Sequence, residues 1–68
     1  MRQAFVYRGE GDFWVAEAPS LPGCVSQGRS REEAIENIRE AIALYIETLQ
    51  SENLPVPGDN LEALLVAV

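Results

Sequence analysis

Cys24-Val25-Ser26-Gln27-Gly28-Arg29-Ser30-Arg31-Glu32-Glu33-Ala34-Ile35 changes its period at Arg29-Ser30, and that change decides the fold. Cys24 to Gly28 reads as a short strand that Arg29-Ser30 interrupts. Ser30 followed by Glu33 is a capping box: the serine hydroxyl accepts from the Glu33 amide, and the Glu33 carboxylate reaches back to the Ser30 amide. A helix starts there. Ala34, Ile35, Ile38, Ala41, Ile42, Tyr45 and Leu49 recur at three- and four-residue spacing and form one apolar stripe, while Leu44 projects well off it. The helix is predicted to end near Ser51 to Asn53, because Asn tolerates a left-handed cap and Pro55 cannot continue a helix.

Working outward toward the N-terminus, Leu21-Pro22-Gly23-Cys24 suits a type II turn, with Pro22 presetting φ and Gly23 free to take φ > 0. Two strands precede it. Gln3 to Arg8 alternates, with Phe5 and Tyr7 on one side and Ala4 and Val6 on the other. Gly9 to Asp12 makes a turn, and Phe13 to Glu17 returns antiparallel as a hairpin. Toward the C-terminus, Pro55-Val56-Pro57-Gly58 is a stiff connector, and Glu62 to Val68 reads as a fourth strand. A short helical turn around Leu61 to Leu64 is the alternative. The predicted architecture is α+β, β-β-β-α-β: an antiparallel meander, a crossover helix and a last strand parallel to the first, in sheet order 3-2-1-4.

Sixty-eight residues fit one domain, residues 1–68, since a chain this short buries only about 60% of its unfolded surface. With 47% hydrophobic and 24% charged residues it is too apolar to be disordered. Eleven Asp and Glu face five Arg, with no Lys and no His, for a net charge of −6. Such a surface lacks the basic stripe that nucleic-acid binding requires and attracts basic partners instead. No run approaches the ~20 apolar residues of a membrane helix, and one cysteine excludes a disulfide framework, so the expected location is the cytoplasm.

The segments Gly11-Asp12-Phe13-Trp14-Val15-Ala16 and Pro19-Ser20-Leu21-Pro22-Gly23-Cys24-Val25-Ser26-Gln27-Gly28, followed by Ser30 to Ile42 with its Glu-Ala pair, closely resemble the HicB-like antitoxin domain. The likeness runs from the first strand to Pro57. It implies a partial ribonuclease-H-like fold, which agrees with the element order read from periodicity. It also implies a partner: a HicA-type toxin, a small basic mRNA-cleaving ribonuclease held inactive by direct binding. Full-length HicB antitoxins usually carry a C-terminal DNA-binding module. The sequence stops at Val68 without one, so operator binding is not carried over. The alternative is an orphan oligomeric domain, structural or regulatory, with no cognate toxin.

Ribonuclease-H chemistry needs carboxylates converging on two metals, and Gln3 to Arg8 supplies none, so neither catalysis, metal nor cofactor is expected. Cys24 has no His to act as its base and reads as a small buried hydrophobe. Glu10, Asp12 and Glu17 are candidate contacts for a basic toxin or simply a solvated acidic rim, and Trp14 is either a partner anchor or cross-sheet packing. Glu32, Glu33 and Glu36 complement the positive end of the helix without any partner. One helix cannot shield two apolar sheet faces, Phe5, Tyr7, Phe13 and Val15 in one phase and Val6 and Trp14 in the other. A homodimer or higher oligomer is therefore expected, using the second sheet face or the edge of the fourth strand, with Val6, Trp14, Leu44, Leu64 and Val66 at its interface.

Overall fold

The computed structural model of the protein describes residues 2–59 and 66–68. Three strands, β1 (Phe5–Arg8), β2 (Trp14–Glu17) and β3 (Val25–Gly28), precede one helix, α1 (Arg31–Ser51). The strands form an antiparallel sheet in the order β1-β2-β3. The expected meander and helix are thus present in an α+β arrangement. The expected fourth strand lies largely outside the described residues: 60–65, Leu64 among them, are not covered, and Val66 to Val68 carry no strand.

Register separates the two faces. Val6, Ala16 and Ser26 form one cross-strand row and Arg8, Trp14 and Gly28 the next, and these rows face α1. Phe5, Glu17 and Val25, then Tyr7, Val15 and Gln27, occupy the opposite face. The helix covers the side with small residues, because only there can its backbone come close. A Cβ placed on Gly28 would stand 2.6 Å from the Ala34 nitrogen and 2.9 Å from the Glu33 carbonyl carbon. Ala16 and Ala34, both fully buried, continue this contact.

The core is completed by a loop. Ala18, Leu21 and Cys24 are buried with Ala16, Ala34 and Ile38, and Leu21 is the largest side chain wholly withdrawn from solvent. Gly23 has φ +80° and the Cys24 amide donates to the Leu21 carbonyl at 3.0 Å, the expected type II turn. The Tyr45 hydroxyl donates to the Pro22 carbonyl at 2.8 Å and ties this loop to α1.

Both helix ends follow local chemistry. Ser30 Oγ accepts from the Glu33 amide at 3.1 Å, as expected of the cap. The Glu33 carboxylate, however, accepts from the Arg29 amide at 3.0 Å, one residue before the Ser30 amide anticipated. Gly28 lies so close against the first turn that the Arg29 amide is the one brought within reach. At the other end Asn53 has φ +57°, with Asn53 N–H donating to Gln50 O and Leu54 N–H to Leu49 O. These two bonds make a Schellman motif with Asn where Gly is commonest.

Beyond the helix the connector is pinned to the start of the chain. Asp59 Oδ1 accepts from the Ser20 hydroxyl at 2.8 Å and Oδ2 from the Gln3 amide at 3.0 Å. Arg2 donates to Ser20 Oγ and to the Pro57 carbonyl. The Ser20 bond, then the Gln3 bond, with Arg2 assisting, hold the Asp59 carboxyl below the usual aspartate range.

Two outcomes are expected. Gly28→Ala should lower stability by about 1–3 kcal/mol, as forced overpacking does, and Leu21→Ala by about 2–5 kcal/mol. Denaturant titration followed by circular dichroism checks both. Because Asp59 has a depressed value when folded, the clasp is fully formed above the unfolded aspartate range and is lost as pH falls through the folded value. The Gln3 amide resonance should therefore titrate below the ordinary aspartate range, and Asp59→Asn should abolish that titration.

Candidate binding surface

The face of the sheet turned away from α1 carries a row of large apolar side chains that the described residues leave uncovered. Phe5 is 49% exposed, Tyr7 44% and Val25 53%, with half-buried Val15 between them. Phe13, just before β2, is 38% exposed and lies under the Arg29 guanidinium, 5.7 Å from its ring centre. Strand alternation alone aligns these side chains, since residues two apart share a face. Glu17 stands among them, and its carboxylate accepts from the Tyr7 hydroxyl at 3.3 Å. Desolvation first, and the Glu17 charge and hydrogen bond second, raise the Tyr7 pKa, so the hydroxyl remains a donor at neutral pH. The result is an aromatic and aliphatic platform carrying one carboxylate.

The expected partner contacts do not converge. Glu10 and Asp12 are exposed in the hairpin turn. Glu17 closes the far end of β2, roughly 17 Å away at ~3.3 Å per residue of extended chain. Trp14 lies on the opposite, helix-covered face, packed against the core with Arg8 stacked over it at 5.3 Å. Of the residues expected at an oligomer interface, Val6 is also packed against the core beneath α1. Leu44 and Val66 are exposed, at 64% and 63%.

Phe5, Tyr7 and Val15 read as one apolar phase of the strands but, like Val25, are not among the expected site residues. Their signal was present as the second phase of the strands. The small residues Ala16, Gly28 and Ala34 could have shown which phase the helix would cover.

Two shallow grooves flank α1. One, about 350 Å³, runs between the turn before β3 and the helix, lined by Cys24, Val25, Ala41, Leu44, Tyr45 and Leu49 among others. The second, about 310 Å³, lies between the start of β1 and Ile35, Ile38 and Ile42, with Arg2 and Arg39 at its rim. Cys24 is only 4% exposed and burial raises its thiol pKa, so it packs as a small hydrophobe. Among the described residues no three His, Cys, Asp or Glu side chains gather as a metal site would require, and no helix is long and apolar enough to cross a membrane.

Known proteins place this arrangement. The chain is 43% identical over 61 residues to the UPF0150 protein Ta0767 of Thermoplasma acidophilum, a match covering 90% of this chain and 88% of the relative. A UPF0150 protein of Synechocystis is 59% identical over 46 residues, covering 68% of this chain and 58% of the relative. One from Helicobacter pylori is 54% identical over 41 residues, 60% and 57% of the respective lengths. No solved structure matches the chain significantly. The family model described as HicB-like antitoxin of bacterial toxin-antitoxin systems matches residues 3–66, nearly the whole sequence. The chain therefore belongs to the HicB-like antitoxin family.

Proposed function

We propose that this protein is the antitoxin of a toxin-antitoxin pair and neutralises a basic, HicA-type mRNA-cleaving toxin by covering it with the open sheet face. The observation that carries this reading is the uncovered platform of Phe5, Tyr7, Val15 and Val25 on an acidic domain of this family. Aromatic side chains anchor interfaces well, because they offer large apolar area at little conformational cost. Eleven carboxylates against five arginines draw a basic partner in and speed its association. Glu17 within the platform, and Glu10 and Asp12 at its tip, offer ionic contacts to such a partner.

The protein acts by binding as a single domain over residues 1–68, in the cytoplasm, without catalysis and without contacting nucleic acid itself. It also associates with itself. In this reading Glu62 to Val68 completes a partial ribonuclease-H-like sheet as a strand beside β1. The Asp59 clasp supports that arrangement. By holding Asp59 against Gln3, it brings the end of the connector to the start of β1, where the proposed order 3-2-1-4 needs it.

The test is a binding measurement with the short basic protein encoded beside this gene, or with a HicA-type toxin. The wild-type chain should bind and block RNA cleavage, with association slowed by added salt. Phe5→Arg and Tyr7→Arg, both at exposed positions, should keep the native circular dichroism spectrum yet weaken binding at least about tenfold, equivalent to 1.4 kcal/mol. Undiminished affinity in both variants would remove the open face from the interface. Absence of binding to any such toxin, with self-association intact, would leave an orphan oligomeric domain.

A further inference from the structure

β3 is a free edge of the sheet among the described residues. Ala18 N–H donates to the Cys24 carbonyl at 3.0 Å across the β2–β3 ladder. Hydrogen-bonded pairs alternate in an antiparallel ladder. Ala16 with Ser26 and Trp14 with Gly28 therefore continue the bonded series, and Val25 and Gln27 turn their peptide groups outward. One of the four outward groups is taken, since Asn37 Nδ2 donates to the Gln27 carbonyl at 2.7 Å. The Val25 N–H and C=O and the Gln27 N–H are left for a partner strand. Val25-Ser26-Gln27-Gly28 contains no charge and no proline, the usual means of blunting an edge.

The groove beside this edge has the same character. Every residue lining it is uncharged, and Leu44 projects from it at 64% exposure. In a chain of net charge −6, a second copy is repelled from most of the surface, and an uncharged face is where two copies meet at least cost. The open sheet face is less suited to self-contact, because stacking two copies there would bring one Glu17 toward another.

We propose that two copies of this chain pair through β3, antiparallel about a two-fold axis at Val25. The two three-stranded sheets then join into one, and each Leu44 enters the groove of the other copy. Asn37 sets the register, because its bond to the Gln27 carbonyl leaves Val25 with the one complete outward donor and acceptor pair on β3. This inference specifies the self-association proposed above and is independent of toxin binding.

Sedimentation equilibrium of the full chain at micromolar concentration, combined with amide hydrogen exchange, tests it. The wild type should sediment as a dimer with a slowly exchanging Val25 amide. Leu44→Glu changes an exposed side chain and should keep the native circular dichroism spectrum, yet weaken the dimer at least about a hundredfold and release the Val25 amide to fast exchange. Phe5→Arg, on the open face, should leave the dimer mass unchanged. A monomeric wild type, a dimer whose Val25 amide exchanges freely, or a dimer broken by Phe5→Arg but not by Leu44→Glu would each overturn the proposal. Loss of the dimer in Leu44→Glu with toxin affinity retained would support it and separate the two surfaces.

Discussion

The approach of α1 to the sheet at Gly28, where a single added carbon would meet the helix backbone at 2.6 Å, governs the rest of the molecule. Ala16 and Ala34 extend the same small-residue contact, so the helix backbone comes close to β3 at Gly28 while Val6 and Trp14 pack around the buried cluster. A short chain has little apolar volume to spend on a core. Close approach lets the Leu21 loop, Cys24 and Ile38 fill what remains, and the Tyr45 bond to Pro22 holds that loop shut. The cap adapts to the same contact, with Glu33 reaching the Arg29 amide because the backbone at Gly28 and Arg29 lies against the first turn.

Placing the helix over Ala16 and Gly28 brings Val6 and Trp14 partly under it and leaves the other phase of the strands outside. Phe5, Tyr7, Val15 and Val25 lie in the phase that α1 does not cover, so the packing that builds the core also leaves an apolar platform facing away from it. An isolated exposed Phe is ordinary on a protein surface; several in adjacent cross-strand rows form the kind of patch that binds partners. The arginines modify this picture locally. Arg8 covers Trp14 on one face and Arg29 covers Phe13 near the hairpin, shielding part of the aromatic area with cationic groups.

The two sheet edges differ in their surroundings. Near the start of β1, the Asp59 clasp draws in the connector, joining residues 56 apart through a carboxylate that accepts both the Gln3 amide and the Ser20 hydroxyl. At the outer edge of β3, Asn37 is the helix side chain that hydrogen-bonds the strand among the described residues, and the adjoining groove is uncharged. Charge is concentrated elsewhere, on the solvent side of α1 and at the hairpin.

Much of the fold was readable in the sequence because its signals are local. Strand alternation at Phe5 to Arg8, the Pro22-Gly23 turn, the Ser30 cap and the Asn53 terminus each depend on residues within a few positions of one another, and each is found where expected. The two apolar phases of the strands were readable for the same reason. Which phase the helix would cover was not, because it depends on side-chain volumes contributed together by β2, β3 and α1 at Ala16, Gly28 and Ala34. For that reason Val6 and Trp14 were expected at an interface and lie beneath the helix, while the phase of Phe5, Tyr7 and Val15 is the one left uncovered. Glu10, Asp12 and Glu17, read as candidate toxin contacts or a solvated acidic rim, show the same limit: nearness in sequence says little about nearness in space once β2 extends between them. Sequence alone determined the elements and the overall charge; tertiary structure decided which face and which edge remain open, since those follow from the fit between surfaces that no local window contains.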